Sequence, residues 1–251
     1  MFRPVFHGKS PLTPLNGLLN NLVAFWPGNE ASGNALDLHT NALHLADINT
    51  VTNNTGLVYA TARQFTRANN EFFNVASSAF FQTGDVDFTF ACWCYFDSTA
   101  VDAGLIGKDG TANMREYQLG LDAAVNRIAF SVSPTGLNGS FVTLYANSFG
   151  AIMTSVWYLI IAWHDSVSNT INVDVNTVGD SSAYATGVAA LTSPFRIGSC
   201  PSVPAAGVMG GRIGPAAFWK SAGGLGGVLT ATQRALLYNA GAGLPYTSFT
   251  N

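Results

Sequence analysis

The stretch that most constrains the fold is residues 87–96, which is apolar on both faces of a strand. With the two-residue period of a strand, one face carries Phe88, Phe90, Cys92, Cys94 and Phe96. The other face carries Thr89, Ala91, Trp93 and Tyr95, and neither face is charged. A half-buried strand alternates apolar with polar residues, so both faces are expected to be covered. Aromatic residues and the preceding Gly84-Asp85 turn favour strand over helix, which predicts a central strand of a large all-β domain.

Composition limits the class of protein. A length of 251 residues suits one large β-sandwich or barrel. Charged residues make up 10% of the chain, against about 25% in ordinary globular proteins, which suits either a protein held in an assembly or an ordinary charge-poor β protein. The net charge is −3 and the basic residues are scattered singly, which argues against nucleic-acid binding. The longest apolar run, residues 156–163, is too short to cross a membrane, and the N-terminus lacks the apolar core of a signal peptide.

The three cysteines predict neither a disulfide nor a zinc site. Cys92 and Cys94 lie two residues apart on one strand face, so their side chains run parallel rather than converging. We expect both to be small buried apolar residues. Cys200 lies in a loop rich in Gly, Ser and Pro and is expected to be a free thiol. The spacing of Cys and His fits none of the usual zinc-ligand sets.

Short strand patterns recur at roughly ten-residue spacing along the chain. They cover residues 22–27, 43–45, 63–66, 71–75, 86–96, 104–108, 116–121, 127–132, 142–145, 156–164, 170–176, 195–198 and 211–219. Residues 170–176 alternate cleanly between apolar and polar side chains, which predicts a strand with one face in water. The inward set is Ile171, Val173 and Val175, and the outward set is Asn172, Asp174 and Asn176.

One helix is well marked, near the C-terminus. Thr230 and Gln233 match a capping box, in which each side chain bonds the backbone N–H of the other residue. Gly241 is the predicted end of this helix. Many short strands with a single short helix indicate a β-sandwich or jelly roll rather than an α/β fold.

Residues 1–20 differ from the rest of the chain, because Pro4, Pro11 and Pro14 interrupt regular pairing. A short helix could begin at Thr13-Pro14 and continue to Leu19, although Gly17 weakens it. One interpretation is an N-terminal arm that docks on a neighbouring subunit. The alternative is a segment that packs on its own domain or frays. The predicted organisation is an arm or docking segment at 1–20 and one domain at 21–251.

The order of these motifs resembles the laminin-G-like members of the concanavalin A-like lectin/glucanase superfamily, over about residues 21–248. The pieces that carry the resemblance are the leading strand 21–27, the loop 28–33, the strand 62–65, the strand 87–96 with Trp93, the hairpin 107–120, the long hairpin 157–176, the strand 195–198 and the closing run from Gly211 through Phe218-Trp219 and Leu237-Tyr238-Asn239 to Tyr246. The final element, residues 243–246, is similar to versions found in phage virion proteins. The chain departs from the family at Asn176-Thr177, where many relatives have Asn-Gly, and at Gly214, where many have an acidic residue.

The resemblance implies a concanavalin A-like jelly roll of two antiparallel sheets, one concave and one convex. Ligands in this superfamily are often glycans, bound on the concave face or at a rim of loops. Relatives that hold calcium use carboxylates at the rim, so Asp85, Asp87 and Asp122 are the candidate calcium ligands of this chain. The alternative is that these three are turn and strand-end residues. No other cofactor is expected.

Glycoside hydrolysis is not expected, although the superfamily includes retaining glucanases. Those enzymes need two carboxylates about 5–5.5 Å apart, which on a strand requires acidic residues at i and i+2 or i+4. Glu30, Glu71 and Glu116 are far apart in sequence, and the Glu-x-Asp-x-Glu arrangement of those enzymes is absent. Asp85 and Asp87 are the only acidic pair at i, i+2, and they lie beside a turn.

Two functions follow from these expectations. The first is a non-enzymatic structural or decoration protein of a phage particle, located in the virion and made in the host cytoplasm without a signal peptide. Such a protein would contact other virion proteins through the 1–20 arm, form a homo-oligomer or assembly, and contact cell-surface glycans. The alternative is a carbohydrate-binding module used for adhesion. A glycoside hydrolase is the least favoured function.

Overall fold

The structure, a computed structural model, describes residues 15–110, 113–201, 207–223 and 226–251. These residues form fifteen β-strands and one α-helix, with short 3-10 turns at Arg67–Asn69, Asn239–Gly241 and Tyr246–Ser248. In chain order the strands are β1 (Leu22–Trp26), β2 (Ala46–Ile48), β3 (Thr52–Thr55), β4 (Thr61–Phe65), β5 (Phe72–Val75), β6 (Phe88–Phe96), β7 (Ala103–Asp109), β8 (Arg115–Asp122), β9 (Arg127–Val132), β10 (Val142–Tyr145), β11 (Trp157–Asp165), β12 (Thr170–Val175), β13 (Val178–Ala183), β14 (Phe195–Ile197) and β15 (Gly211–Lys220). The helix is α1 (Ala231–Tyr238).

The strands form two antiparallel sheets that pack face to face. The eight-stranded sheet has the order β13-β12-β11-β6-β15-β4-β3, and β1 pairs with β15 beside this path. The seven-stranded sheet has the order β10-β9-β8-β7-β14-β5-β2. Apolar side chains of both sheets meet in one core. The predicted all-β jelly-roll sandwich of two antiparallel sheets, with one short C-terminal helix, is confirmed.

Strand β6 lies in the middle of the eight-stranded sheet, between β11 and β15. The side chains that enter the core between the sheets are Phe88, Phe90, Cys92, Cys94 and Phe96. Ala91 and Trp93 enter a second apolar cluster on the opposite face of the same sheet. The prediction of a central strand covered on both faces is therefore confirmed. Cys92, Cys94 and Cys200 are all free and buried, as expected for thiols that pack as apolar groups.

The C-terminal segment covers the outer face of the eight-stranded sheet. Trp93 stacks on Tyr238 at the end of α1, with ring centroids 6.0 Å apart. Phe249 packs edge-on against Phe25 of β1, at 5.2 Å between ring centroids. This face of the sandwich is therefore occupied by the chain itself.

Residues 15–20 pack on the same domain. The backbone N–H of Asn16 donates to the Thr250 hydroxyl at 2.7 Å, and its side-chain amide donates to the Ser248 carbonyl at 2.8 Å. Leu18 is buried, and its carbonyl accepts from Trp219 Nε1 at 2.8 Å. The expected short helix is not seen in residues 15–19, because Gly17 adopts a left-handed φ of +68° and begins a turn. Residues 1–14 lie outside the described residues, so an arm there stays a prediction.

The C-terminal helix begins as predicted. Thr230 Oγ1 accepts from the Gln233 N–H at 3.2 Å, and the Thr230 N–H donates to Gln233 Oε1 at 2.9 Å. The helix ends earlier than expected, because Asn239 rather than Gly241 takes the left-handed cap position, with φ of +47°. Among the described residues, no helix is long and apolar enough to span a membrane.

The prediction that β12 has one face in water is wrong. Asn172 and Asp174 are only 6% and 7% exposed. Arg234 of α1 covers this face: its Nε donates to Asp174 Oδ2 at 2.8 Å, and its guanidinium carbon lies 4.2 Å from the centre of the Trp163 ring. Polar alternation marked the outward face correctly, but a helix 60 residues further along the chain buries it.

Several strand boundaries also differ from the sequence-based expectation. The strand predicted at 43–45 is β2 at Ala46–Ile48, and Leu45 makes only an isolated bridge with Ala35. Strands β3 and β13 were not predicted. Their sequences, Thr52–Thr55 and Val178–Ala183, are polar and largely exposed, because both lie at the edges of the eight-stranded sheet. An edge strand is held mainly by backbone hydrogen bonds, which leave little trace in side-chain hydropathy.

Candidate functional site

The face of the seven-stranded sheet turned away from the core carries a groove of about 370 Å³ across β8, β9 and β10. Tyr117, Leu119 and Leu121 of β8 point into the core. Because strand side chains alternate, Gln118 and Asp122 point outward and line the groove. We refer to it below as the outer-face groove.

Small residues form the floor of the outer-face groove. Ala129 of β9 pairs with Gly120 of β8, which in turn pairs with Gly104 of β7. Beside this row, the hydroxyls of Ser131 and Thr143 hydrogen-bond at 2.8 Å. Because Gly120 has no side chain and Ala129 has only a methyl group, the backbone itself forms the bottom of the groove, whereas Gly104 lies buried under the Cys200 segment.

Cys200 forms one wall, because its segment packs directly over β7. A Cβ atom on Gly104 would lie 2.3 Å from the Cys200 nitrogen, so only glycine allows this close approach. The Cys200 thiol donates to the Ile106 carbonyl at 3.5 Å. Burial raises the pKa of this thiol well above its ordinary value, so it stays protonated and unreactive.

Hydroxyl and carboxylate groups occupy one end of the groove. The Tyr145 hydroxyl donates to Asp122 Oδ2 at 2.9 Å, and Asp122 Oδ1 accepts from the Ala124 N–H at 3.0 Å. Asp102 Oδ1 accepts from the Ala123 N–H at 2.8 Å. Burial and then the neighbouring Asp122 raise the pKa of Tyr145, which keeps its phenol protonated. This end therefore presents oriented carboxylates beside an aromatic ring.

A β-bulge places a positive charge at the other end. Lys108 of β7 pairs with Tyr117, but Asp109 pairs with Arg115, so Glu116 is the extra residue of β8. The bulge reverses the alternation, which turns Arg115 to the groove and Glu116 toward the interior. The Arg115 guanidinium lies over the Phe141 ring at 5.5 Å and forms no ion pair within the described part of the chain. The two ends of the groove are roughly 20 Å apart along β8.

The structure does not bring the predicted calcium ligands together. Asp122 lies in the outer-face groove, whereas Asp87 directly precedes β6 of the other sheet and Asp85 is exposed two residues before Asp87. Asp87 Oδ1 accepts from the Ser166 N–H and hydroxyl at 2.9 and 2.7 Å, and Oδ2 accepts from the Gly226 N–H at 3.1 Å. Within the described residues, no group of three His, Cys, Asp or Glu side chains is placed to hold a metal ion. Calcium binding by these residues remains a prediction.

The three glutamates serve separate parts of the fold. Glu30 lies 3.6 Å from the Arg63 guanidinium, and Glu71 accepts from the Thr66 N–H at 2.6 Å. Glu116 binds the Lys108 ammonium group in the interior. None of these carboxylates lines the outer-face groove.

Sequence reasoning identified Asp122 but missed the rest of the groove. A usable signal was present in Gln118-x-Gly120-x-Asp122, whose outward side chains alternate with the core residues of β8. Tyr145, Ala129 and Arg115 carried no comparable signal, because their place in the groove depends on how β8, β9 and β10 pair.

Comparison with known proteins agrees with this architecture. Residues 67–222, more than half of the chain, match the family model of the concanavalin A-like lectin/glucanases superfamily. A search of curated protein sequences gave no significant match. Similar folds are found among solved structures, at sequence identities low enough to show the fold alone.

One such structure is the binding domain of Paraclostridial mosquitocidal protein 1, with a TM-score of 0.67 and 14% identity, covering 89% of this chain and 53% of that one. Domain 4 of AbnA, a GH43 extracellular arabinanase from Geobacillus stearothermophilus, has a TM-score of 0.58 and 14% identity, with 86% and 97% covered. The receptor binding domain of botulinum neurotoxin D has a TM-score of 0.62 and 10% identity, with 89% and 54% covered. The chain thus spans about half the length of the two toxin domains. By its family match and its fold, this chain belongs to the concanavalin A-like lectin/glucanase superfamily.

Proposed function

We propose that this chain is a non-enzymatic carbohydrate-binding module whose ligand lies in the outer-face groove. The observation that carries the proposal is the groove itself, a floor of Gly120 and Ala129 bounded by the Tyr145 ring and the Asp122 carboxylate. Its volume of about 370 Å³ lies within the range of about 300–1,000 Å³ that is usual for small-ligand sites.

The chemistry of the groove suits a sugar. Tyr145 and Phe141 offer flat apolar surfaces to the C–H face of a sugar ring. Asp102 and Asp122 are acceptors for sugar hydroxyls, and Thr143 can both donate and accept. The groove is long enough for more than one sugar unit, since its charged ends lie roughly 20 Å apart along β8.

The structural relatives support a binding role. Domain 4 of AbnA was solved in complex with arabinotriose, and the neurotoxin D domain is a receptor binding domain. Catalysis has less support in this chain, because Glu30, Glu71 and Glu116 lie outside the groove. The two carboxylates that do line it, Asp102 and Asp122, accept backbone N–H groups, which orients them as fixed acceptors.

Filling the floor of the groove should weaken sugar binding. Ala129→Leu adds a larger side chain where a ligand would sit, and we expect it to weaken binding at least tenfold, or about 1.4 kcal/mol. The measurement is a glycan array with the wild-type chain, followed by titration of the best oligosaccharide. Ala183→Leu, the same change on the exposed edge strand β13, is the matched control and should bind like the wild type.

Two outcomes would count against this proposal. One is a wild-type chain that binds no glycan on the array. The other is an Ala129→Leu variant that binds the best oligosaccharide as tightly as Ala183→Leu does.

We also propose that the module works on the surface of a phage particle, as a decoration protein located in the virion. This rests on the low charge of the chain, 10% charged residues, and on the likeness of residues 243–246 to closing elements of phage virion proteins. The contact with other virion proteins would be made by the N-terminal arm. In this setting the groove would bind glycans on the surface of the host cell.

Deleting residues 1–14 should abolish incorporation into particles while the domain stays folded. The cut belongs after residue 14, because Asn16 and Leu18 are bonded to the C-terminal segment and to Trp219. The measurement is the amount of the chain in purified particles, with the melting temperature of the truncated chain as the control for folding. Undiminished incorporation of a folded truncated chain would show that the arm is not the docking element.

A further inference from the structure

We propose that a second groove, at the end of the sandwich where β6 begins, binds a carboxylate-bearing sugar. This groove measures about 530 Å³ and lies between the start of β1, the end of β15 and the turn at residues 79–83. Its lining includes Asn21, Asn41, Phe80, Thr83 and Lys220, and it shares no lining residue with the outer-face groove. The proposal therefore stands independently of the first site.

Lys220 supplies the positive charge of this end groove. Its ammonium group donates to the carbonyls of Ala79 and Gln82, which leaves the third N–H free for another acceptor. Within the described residues, Lys220 forms no ion pair. Burial lowers the pKa of Lys220, as expected for an ammonium group partly removed from water. A carboxylate in the groove would accept a hydrogen bond from the third N–H and neutralise the charge of the ammonium group.

Phe80 supplies an apolar face beside that charge. Its side chain is 43% exposed, whereas Phe81 next to it is fully buried and stacks on Phe195 at 4.4 Å. The turn that contains both residues is fixed, because the N–H groups of Phe81 and Gln82 both donate to the Ser78 carbonyl. Lys220 holds the same turn through its two carbonyl contacts, so Phe80 is presented at the groove at little further ordering cost.

Polar side chains complete the site. Asn21 and Asn41 donate their amide N–H groups to the Gly226 and Val23 carbonyls, at 2.8 Å each. Their amide oxygens remain as acceptors for hydroxyl groups. The hydroxyl of Thr83 is buried beside the groove and has no hydrogen-bond partner in the described part of the chain. The groove thus offers an aromatic face, amide acceptors and one cation. This combination suits an acidic sugar better than a neutral one.

The competing interpretation is that Lys220 only holds the 79–83 turn. The two interpretations differ in ligand chemistry, because a purely structural lysine gives no preference for a carboxylate. The test is therefore an array of uronate-containing oligosaccharides, each printed beside its carboxyl-reduced form, followed by titration of the best pair. Lys220→Gln keeps an amide donor for the turn but removes the charge, and Phe80→Ala removes the exposed ring.

We expect the wild-type chain to bind at least one uronate oligosaccharide tenfold or more tightly than its reduced form. Lys220→Gln should remove that preference with little change in melting temperature, and Phe80→Ala should weaken both ligands about tenfold. Ala129→Leu should leave this binding unchanged, which separates the end groove from the outer-face groove. The proposal is overturned if no uronate ligand binds, if the reduced form binds equally well, or if Ala129→Leu abolishes the binding.

Discussion

Replacing Phe90 with alanine is expected to lower the free energy of unfolding by about 3–5 kcal/mol, as for other fully buried aromatic residues. Phe90 is completely buried at the centre of β6. Its ring stacks on Phe218 of the neighbouring strand β15 at 4.6 Å and tilts against Tyr117 of the opposite sheet at 4.7 Å. The substitution therefore removes contacts within one sheet and between the two sheets at once. Urea denaturation of both proteins measures the loss.

The matched control for this experiment is Phe80→Ala. Phe80 carries the same side chain but is 43% exposed, so its removal should cost about 1 kcal/mol or less. Equal, small losses for the two variants would contradict the placement of β6 at the centre of the core.

Replacing Lys108 with methionine is expected to cost about 3–5 kcal/mol at pH 8, because it leaves a buried carboxylate without its partner. Lys108 and Glu116 are both fully buried, and the Lys108 ammonium donates to the Glu116 carboxylate and to the Leu191 carbonyl. Glu116 Oε1 also accepts from the Leu191 N–H at 2.7 Å. The pair thus links the bulge in β8 to the loop before β14.

The cost of Lys108→Met should depend on pH. Burial raises the pKa of Glu116 from 4.5 to about 7, and Lys108 opposes this rise. Between about pH 4.5 and 7, the Glu116 carboxyl is therefore protonated in the folded state and ionised in the unfolded state. The contribution of Glu116 to the free energy of unfolding thus falls as the pH rises through that window. Without Lys108 the folded pKa rises further, so the variant continues to lose stability above pH 7. We expect the cost to be at least about 1 kcal/mol larger at pH 8 than at pH 5.

A double variant separates the charge from the packing. Lys108→Met with Glu116→Gln removes both charges and keeps an acceptor for the Leu191 N–H, so it should recover most of the loss at pH 8. Chemical denaturation at pH 5 and pH 8 of the wild type, the single variant and the double variant provides the comparison. A cost independent of pH, or a double variant as unstable as the single one, would contradict a buried charge pair.

The centre of the fold could be predicted from the sequence because its cause is local. The run from Phe88 to Phe96 is apolar on both faces. This pattern is typical of a strand that is covered on both sides, and not of a strand at the edge of a sheet. The capping box of Thr230 and Gln233 is local in the same sense, since both partners lie within one helical turn.

The groove could not be predicted, because it depends on pairing between strands. The floor follows from the register that pairs Ala129 of β9 with Gly120 of β8. The bulge at Glu116 makes the sequence pattern misleading. Simple alternation along β8 would place Arg115 inside and Glu116 outside, which is the reverse of the structure.

Contacts between distant parts of the chain explain the error at β12. The alternation in β12 correctly separates Val173 from Asp174, but Asp174 is buried by Arg234, which lies on the C-terminal helix. Hydropathy predicts which side chains share a face, and not what covers that face.

The most direct test of a carbohydrate-binding function is a crystal structure of the chain with the oligosaccharide that binds best on the glycan array and is sensitive to Ala129→Leu. We predict sugar density over Gly120 and Ala129, with a ring against Tyr145 and hydroxyls within hydrogen-bond distance of Asp122. Sugar density elsewhere on the chain, with the outer-face groove filled only by solvent, would contradict the account.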